Sequence, residues 1–413
     1  MNDLILFPVN LILFDGDLNV NTTTDAGLSV EMKTYYSDYL IDLAEAQLVH
    51  DQFGQKHPIP QNGGKTIEFR QYNALPEQTS ALTEGVTPDG QSISVTNVNA
   101  TIAQYGGYVT LSDILMLTAI DKNLLQATKL IASQAGRSLD TITREVLNAG
   151  TNVMYGGNKT SRTALTYTSS ASNDNLTVDD VKKAVRYLEM QDAPKINGYY
   201  IGIISPMVKY DLMKDPLWRN PHEYADTSNV YTGEIGELYG VRFVEASRAK
   251  KFEADKLAGG SSKLTVKTAV SAATSVPVVE AISAAEATAL AGKKVYVGSA
   301  ATEVTISSAT SGTAGNASLT LSAAATIAKD TVIYGEGGGV DGVDVFSTLI
   351  FGDDAYGVTE VNGGGLQHIV KQLGSAGTSD PLDQRATVGW KATKVAKILV
   401  PQYLVRVETT ATP

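Results

Sequence analysis

The decisive stretch of the sequence reads Lys65-Thr-Ile-Glu-Phe-Arg-Gln-Tyr72. Its apolar residues, Ile67 and Phe69, alternate with polar ones, which is the pattern of a half-buried β-strand. A second strand-like stretch follows at Ser92-Ile-Ser-Val-Thr-Asn-Val-Asn-Ala-Thr-Ile102. Its apolar phase slips at Asn97, and such a slip predicts a β-bulge. The two stretches are therefore predicted to pair as a hairpin.

The segment between these strands, Ala74 to Gly90, is too long for a tight turn. It contains Pro76, Pro88 and the turn signal Asp89-Gly90. A two-stranded ribbon on its own is marginally stable at best, because it cannot bury both of its faces. We therefore expect another surface to cover the hairpin, and a neighbouring subunit is the simplest candidate.

A long helix is predicted directly after the hairpin. It begins at Ser112 or Asp113, either of which is a good N-cap, and ends at Gly150. About 36 residues at about 1.5 Å each would span roughly 54 Å. Gly136 is a candidate for a kink in this helix. The predicted apolar stripe consists of Ile114, Leu117, Ile120, Leu124, Ile131, Leu139, Ile142 and Val146. Upstream, the spacing of apolar residues predicts another helix over Ser29 to Gly54. Downstream, Thr177-Val-Asp-Asp180 is predicted to cap a helix, and Tyr199 to Ile204 is predicted to form a buried strand.

Several sequence blocks occur in order along residues 27–255 and 338–400. They are Gly64-Lys-Thr-Ile-Glu-Phe69, Leu82-Thr-Glu-Gly-Val-Thr-Pro88, Tyr105-Gly-Gly-Tyr-Val-Thr-Leu-Ser-Asp113, Ser138-Leu-Asp140, Leu217-Trp-Arg-Asn220, Gly233-Glu-Ile-Gly236, Tyr239-Gly-Val-Arg-Phe243 and Asp380-Pro-Leu-Asp-Gln-Arg-Ala-Thr-Val-Gly-Trp-Lys391. Together they resemble the N-four-like tailed-phage major capsid family, which has the Hong Kong 97-type fold. Residues 1–20 and 259–335 depart from the family's pattern.

The resemblance implies an α+β fold with an extended E-loop hairpin, a long spine helix, and axial and peripheral domains. The implied segments are an N-terminal arm and helix (1–61), the E-loop hairpin (62–112), a peripheral domain with the spine helix (113–192), an axial domain (193–258), an inserted domain (259–335), a return to the axial domain (336–365), and a return to the peripheral domain with the C-terminal strands (366–413).

Residues 259–335 have a composition of their own. They are rich in Ala, Ser and Thr and contain only two aromatic residues, Tyr296 and Tyr334. Six short apolar runs separated by turn signals predict a small inserted barrel or sandwich, flanked by glycine hinges at 259–260 and 335–339. The runs are 263–266, 276–279, 294–297, 304–306, 318–321 and 331–334. The alternative is an elaborated part of the axial domain without a core of its own.

The implied function is that of a major capsid protein, a non-enzymatic subunit of the icosahedral head of a double-stranded-DNA phage. Its implied partners are further copies of itself in hexamers and pentamers, a portal protein, a separate scaffolding protein and a cement or decoration protein. The packaged DNA would be enclosed without sequence-specific binding. The implied location is the virion, after assembly in the host bacterial cytoplasm. Candidate intersubunit contacts are Arg70, Glu77, Glu84 and Asp89 of the hairpin, and Phe7 and Phe14 of the N-terminal arm.

Composition limits the function classes. The chain has 413 residues and no Cys, which excludes a disulfide framework or a thiolate metal site. A net charge of −11 disfavours a nucleic-acid-binding surface. The apolar stretch Leu4 to Phe14 is short, lacks a basic flank and is interrupted by Pro8, so we expect neither a signal peptide nor membrane insertion.

Catalytic and metal motifs are weak. Asp15 to Asn21 begins like a calcium loop, but Val20 and Ala26 stand where an EF-hand needs Gly and Glu. The four histidines have no metal-ligand spacing, and the sequence contains no nucleophile elbow. We therefore expect no cofactor and no metal. Two alternative functions are a secreted or surface β-rich adhesin, suggested by residues 259–335, and a hydrolase with an unrecognised site.

Overall fold

The structure is a computed structural model, and it describes residues 48–58, 65–72, 75–82, 84–85, 87, 90–118, 123–169, 172–218, 236–359, 366–375 and 382–413. The predicted contact residues Phe7, Phe14 and Asp89 lie outside this set, as does the calcium-like segment at Asp15 to Asn21.

The described residues form strands joined by a small number of helices. In chain order the strands are β1 (Gln55–His57), β2 (Thr66–Tyr72), β3 (Val95–Thr101), β4 (Ala103–Ser112), β5 (Val153–Tyr155), β6 (Tyr167–Ser169), β7 (Ser172–Asn173), β8 (Tyr200–Ile204), β9 (Glu237–Leu238), β10 (Val241–Glu245), β11 (Lys251–Phe252), β12 (Lys263–Thr265), β13 (Val270–Val278), β14 (Lys294–Val297), β15 (Thr302–Thr310), β16 (Ala317–Ile327), β17 (Val332–Gly335), β18 (Val345–Phe351), β19 (Tyr356–Thr359), β20 (Leu366–Lys371), β21 (Arg385–Lys394), β22 (Ala396–Ile398) and β23 (Leu404–Thr409). The α-helices are α1 (Asp113–Thr118), α2 (Asn123–Asn148), α3 (Val178–Met190), α4 (Pro206–Lys214) and α5 (Ala284–Leu290). Short 3-10 helices cover Gly156–Asn158, Arg162–Ala164, Val340–Gly342 and Pro401–Tyr403.

The chain divides into two compact units. In its described part, the first unit comprises residues within 104–138 and 361–393. The second comprises described residues within 48–103, 139–360 and 394–413. The sequence-based division kept 366–413 in one segment, whereas the two units divide it between Thr393 and Lys394.

The first unit contains a three-stranded sheet in the order β20-β21-β4. Strands β20 and β21 are antiparallel, with Leu366 opposite Ala392. Ser112 caps α1 as predicted, because its Oγ accepts a hydrogen bond from the backbone N–H of Leu115 at 3.3 Å. The indole N–H of Trp390 donates to the Gln134 side-chain oxygen on α2 at 3.3 Å, which joins the sheet to the helix.

The second unit is built around a sheet in the order β5-β23-β18-β8-β10-β9, with β11 also pairing β18. Strands β8 and β10 are parallel, and β18 is antiparallel to both β8 and β23. All residues of β8, β18 and β23 are buried. The nearly continuous apolar run of β8 predicts a strand covered on both faces, and α3 contributes Val181 and Leu188 to the core on one of them. Thr177 and Asp180 form the predicted capping box of α3.

The predicted long helix is present over α2, whose 26 residues span about 39 Å. Gly136 lies within an uninterrupted helix, so it does not break it. Ile131 and Leu139 are buried as predicted, but the burial predicted for Ile114 is wrong, because its side chain is 67% exposed. Residues 119–122 lie outside the described residues, and so does the prediction of one continuous helix through them.

The hairpin strands β2 and β3 pair without a register shift, from Thr66 opposite Thr101 to Tyr72 opposite Val95. The predicted bulge at Asn97 is therefore wrong. Side chains that face each other across an antiparallel pair lie on the same side of the ribbon. Val98 and Ala100 share the covered face with Phe69 and Ile67, whereas Val95 lies on the opposite, exposed face. The apolar phase therefore slips because the apolar residues of β3 change from one face of the ribbon to the other, and not because the strand contains an extra residue.

Residues 48–54 form turns, so the helix predicted over Ser29 to Gly54 is wrong in this part; residues 29–47 lie outside the described residues. A buried polar network holds these turns against α2. Asp140 accepts hydrogen bonds from the backbone N–H of His50 at 2.8 Å and from its Nδ1 at 2.9 Å. Asp51 accepts one from the Thr143 hydroxyl at 2.5 Å and forms an ion pair with Lys394. The free energy of these long-range contacts outweighs local helix propensity.

The strands of residues 259–335 lie at the six predicted runs. They form one sheet in the order β12-β17-β14-β15-β16-β13. A bridge between Val266 and Val278 joins the two outer strands, so the sheet closes on itself. Its interior is a separate apolar core to which α5 contributes Leu290. We call residues 259–335 the module.

The chain enters and leaves the module side by side. The backbone N–H of Asp255 donates to the carbonyl of Glu336 at 2.8 Å. A Cβ added at Gly335 would collide with the carbonyl of Asp255, and one at Gly337 would lie 2.7 Å from the carbonyl of Glu253. Close backbone packing therefore explains the glycines at 335 and 337, and the hinge predicted over Gly335 to Gly339 stays a prediction.

The buried ion pair supplies a test of the fold. In the variant Lys394→Met the Asp51 carboxylate stays buried without its cation, so we expect the free energy of unfolding to fall by about 3–5 kcal/mol. The double variant Asp51→Leu/Lys394→Met should recover most of this loss, because both charges are removed. Urea unfolding of the unassembled subunit measures both effects.

Lys251→Met is the matched control. Lys251 pairs with Asp344 at 2.7 Å, but its side chain is 37% exposed. Its loss should therefore cost only about 0–1 kcal/mol. Equal losses in the Lys394 and Lys251 variants would contradict the importance assigned to the buried pair.

Candidate assembly surface

The root of the hairpin is anchored within its own subunit. Ile67, Phe69 and Ala100 are buried in one apolar cluster with Leu399 and Val400. The His57 ring packs edge-on against Phe69, with ring centroids 4.7 Å apart. A Cβ at Gly357 would collide with the Phe69 ring, so β19 passes directly beneath it. The residues of β2 and β3 in this cluster therefore act as an anchor for the strands that extend from it.

The tip of the hairpin, residues 75–94, is uncovered. Every described residue of the tip is exposed, and none lies in a strand or helix. Its large apolar side chains are Leu75, Leu82 and Ile93, which are 52%, 76% and 70% exposed. The Gln91 side chain donates a hydrogen bond to the carbonyl of Pro76 at 3.2 Å across the base of the tip. An exposed apolar surface of this kind marks an interaction site.

The charged residues that were predicted as contacts and that the structure describes are all exposed. Arg70 is exposed on β2 opposite Asn97, and Glu77 and Glu84 are exposed in the tip. Within the described residues the structure brings no two of these three together in an ion pair. The tip sequence contains Glu77, Glu84 and Asp89 but no Lys or Arg, so it is uniformly acidic.

Sequence reasoning missed a second exposed apolar surface, in the first unit. Tyr108 of β4 is 75% exposed, Ile369 of β20 is 40% exposed, and Leu382 is 75% exposed. The pair Gly106-Gly107 was a usable signal, because glycine inside a strand often marks a close backbone approach or a binding surface.

Two lysines of the second unit, Lys183 and Lys250, form ion pairs within the subunit. Lys183 contacts Asp179 at 2.7 Å, and this hydrogen bond raises the pKa of Lys183. Partial burial tends to raise the pKa of the Glu145 carboxyl, but hydrogen bonds from Lys250, at 2.6 Å, and from Arg144 outweigh it and lower this pKa. These cations stabilise their own subunit.

A further cluster of charged residues surrounds Glu408 of β23, a strand of the main sheet. Glu408 is fully buried and accepts two hydrogen bonds from Arg162, both at 2.7 Å, and one ion-pair contact from Arg406 at 2.8 Å. Burial lowers the pKa of Arg406. The Arg162 guanidinium also lies 3.5 Å from the centre of the Phe252 ring. The Glu408 carboxylate is thus held between two cations of its own subunit, although the buried Nε of Arg406 makes no hydrogen bond.

No catalytic or metal arrangement emerges in the described part of the chain. His50 is bound to Asp140, His57 packs on Phe69, and burial lowers the pKa of His368; His222 lies outside the described residues. No group of three or more His, Asp or Glu side chains in that part could hold a metal ion. Across the same residues, no helix has both the length and the apolar character needed to cross a membrane.

Comparisons with known proteins point to one class. A family model described as "Phage capsid protein" matches residues 116–307, somewhat less than half of the chain. A search of curated proteins finds no match. The capsid structure of cyanophage P-SCSP1u is similar over 87% of this chain and 87% of its own, with a TM-score of 0.51 and 11% identity. The capsid of Ralstonia phage GP4 is similar over 88% of this chain and 86% of its own, with a TM-score of 0.50 and 12% identity.

At this level of identity the two structures establish a shared fold, a mixed arrangement of helices and strands that extends over most of the chain. The family model adds a match at the level of sequence, over a region that includes α2, the main-sheet strands β8 and β10, and the first part of the module. The sequence match and the fold agree: residues 116–307 are similar in sequence to the phage capsid family, and most of the chain shares its fold with two phage capsids.

Proposed function

We propose that this protein assembles in many copies into the icosahedral head of a tailed phage, around double-stranded DNA, and that the hairpin is the clamp between subunits. The observation that carries the proposal is the contrast within the hairpin. Phe69 at the root is 1% exposed, whereas Leu82 at the tip is 76% exposed. A segment that is anchored at one end and uncovered at the other is built to contact something outside its own subunit.

The energetics favour a second copy as that partner. Burying one Leu or Ile side chain contributes about 1.5–3 kcal/mol, so covering the tip yields a sizeable free energy at each subunit contact. Hairpin and receiving surface are different parts of one chain, so the contact is heterologous. Contacts of this kind generate closed rings or extended lattices, not isolated dimers.

Within the Hong Kong 97-type arrangement, β2 and β3 with the tip correspond to the E-loop and α2 to the spine helix. The main sheet of the second unit suits the axial domain, and the sheet of the first unit suits the peripheral domain. In this assignment β23 belongs to the axial sheet, since it lies between β5 and β18. Hexamers and pentamers would follow from axial domains meeting around a common centre.

The proposed partners beyond the subunit itself are a portal protein, a separate scaffolding protein and a cement protein, with assembly in the bacterial cytoplasm. The DNA would be enclosed without sequence-specific contacts, because the net charge of −11 disfavours tight binding to a polyanion. The role is structural. Neither the adhesin nor the hydrolase alternative agrees with the capsid family model.

The module is proposed to be an inserted domain on the outer surface of the shell. Its own apolar core supports this, because such a core can hold it together without the axial sheet. The hydrogen bond between Asp255 and Glu336 gives the insertion neighbouring ends. A surface loop with close ends is where a domain can be inserted with least disturbance to the fold.

Removal of the tip tests the clamp. In a variant whose residues 75–94 are replaced by a short Gly/Ser linker, we expect an unchanged free energy of unfolding for the subunit, because the described tip residues contribute no buried side chain. Closed shells should not form. Urea unfolding and electron microscopy measure the two outcomes.

Phe69→Ala is the matched control at the root. It should destabilise the subunit itself by about 3–5 kcal/mol, because it opens a cavity in the anchoring cluster. Closed particles of normal size from the tip-deleted protein would refute the clamp.

Replacement of the module tests the insertion. A variant in which a short Gly/Ser linker joins residues 258 and 336 should keep the shell geometry, because the chain ends there are already adjacent. Closing the loop formed by the linker costs little free energy, about 0.6 kcal/mol for each doubling of linker length. Electron microscopy should find particles of the same diameter that lack the density of the module. A folded subunit that no longer assembles would place the module among the lattice contacts instead.

A further inference from the structure

A lysine and an aspartate meet in the interior of the second unit. The ammonium group of Lys394, the last residue of β21, contacts the carboxylate of Asp51 in the turns before β1. The two side chains are only 1% and 8% exposed, so little water reaches the contact. Burying two charges costs free energy, and moving a proton from the nitrogen to the carboxylate removes both charges. The resulting neutral pair, an amine beside a carboxylic acid, contains the two reactants of an amide bond.

The Asp51 carboxyl group is also held at its other oxygen. The Thr143 hydroxyl on α2 donates a hydrogen bond of 2.5 Å to Asp51 Oδ1, whereas Lys394 Nζ contacts Oδ2. Thr143 is fully buried, so its hydroxyl is a fixed donor in a site without water. The two oxygens therefore differ in what they can do. Oδ1 can carry negative charge against a fixed donor, and Oδ2 lies beside the nitrogen that supplies protons.

The groups around this pair keep it buried and in place. Asp140, one helical turn before Thr143, binds the backbone N–H and Nδ1 of His50, the residue that precedes Asp51. The Tyr356 hydroxyl donates to the carbonyl of His50 at 2.6 Å. Burial raises the pKa of Tyr356, and the Asp51 and Asp140 carboxylates raise it further. The reacting carboxyl group thus belongs to a buried cluster that fixes the backbone on which it is carried.

We propose that Lys394 and Asp51 condense to form an amide (isopeptide) bond within the subunit. The neutral Lys394 nitrogen attacks Asp51 Cγ and forms the C–N bond, while the Thr143 hydroxyl stabilises the negative charge that develops on Oδ1. The nitrogen then gives up a further proton, the bond from Cγ to Oδ2 breaks, and Oδ2 leaves as water with the two protons that came from the ammonium group. One ammonium and one carboxylate become one amide and one water, so the reaction needs no oxidant, cofactor or further reactant.

The bond joins positions that are 343 residues apart in the sequence. It closes most of the chain into a covalent loop, and a cross-link that closes a long loop restricts the unfolded chain strongly. The ion pair in the structure is the state before the reaction, so freshly purified subunit carries the pair and the amide accumulates with time. The inference goes beyond the proposed function and does not depend on it, because the bond forms inside one subunit.

The mass of the full-length protein tests the reaction. Freshly purified subunit should have the mass of its sequence, and a species lighter by one water, about 18 Da, should accumulate over several days. On a denaturing gel this species should migrate faster, because its closed loop keeps the unfolded chain more compact. Tryptic digestion should then give a branched peptide in which residues 34–56 are joined to residues 392–397, with no cleavage after Lys394.

Lys394→Arg is the matched control, because it keeps the positive charge but removes the reacting amine. It should keep the mass of its sequence throughout. Lys251 and Asp344 are an internal control, since they are the same two residue types in contact at 2.7 Å, but the Lys251 side chain is 37% exposed. Water reaches this second pair, so the peptides that contain it should remain separate.

Thr143→Val tests the part assigned to the hydroxyl. The rate at which the lighter species accumulates should fall on the order of a hundredfold, because one fixed donor to the developing negative charge is lost. Thr143→Ser keeps the hydroxyl and should retain most of the rate. Urea unfolding of the fresh proteins shows whether the variants are folded, and an unchanged rate in folded Thr143→Val would refute this role.

An unmodified chain that keeps the mass of its sequence would overturn the proposal, whatever the variants do. A loss of one water at another place would also overturn it. A succinimide at Asp341-Gly342, for example, has the same mass change, but it would form equally in Lys394→Arg and would give no branched peptide. Neither result would affect the proposed function, which concerns contacts between subunits.

Discussion

The fold of the second unit depends on a buried polar network that joins distant parts of the chain. Asp51 and Lys394 are 343 positions apart in sequence, and His50 and Asp140 are 90 apart. Because these groups are buried, a structure that separated them would leave charges without partners, at a cost of several kcal/mol. We infer that the network selects one arrangement of these segments over competing compact ones. Burial, followed by the nearby Asp51 carboxylate, also raises the pKa of Tyr356, whose hydroxyl donates to the carbonyl of His50.

The position of the hairpin follows from this network. The turns that contain His50 and Asp51 lead directly into β1. Strand β1 pairs in parallel with β19, and Gln55 lies opposite Gly357. Gly357 in turn leaves the space that the Phe69 ring occupies. The root of the hairpin is thereby fixed within its own subunit, so an assembled neighbour needs to order only the tip. Fixing the root in advance lowers the entropy that the tip loses on docking.

Local patterns in the sequence predicted much of this fold. The capping box at Thr177, the buried strand β8 and the six strands of the module depend on nearby residues, and the sequence indicated all of them. Three predictions failed because they depend on more than the local pattern: the bulge at Asn97, the helix through 48–54 and the burial of Ile114. Likewise, the acidic tip was visible in the sequence, but the exposed apolar residues of the first unit were not, since only the fold brings their strands side by side.

The distribution of charge separates stability from assembly. In the second unit, Glu145, Asp179 and Glu408 each meet a cation of their own subunit, so these ion pairs are satisfied before assembly begins. The exposed acids of the tip, Glu77 and Glu84, have no such partner among the described residues. A surface charge attracts a partner over about a Debye length, roughly 10 Å at 0.1 M salt. Satisfying these pairs within the subunit therefore leaves the acidic tip as a charge that can direct one copy to the next, and the attraction of the tip for its partner is sensitive to salt.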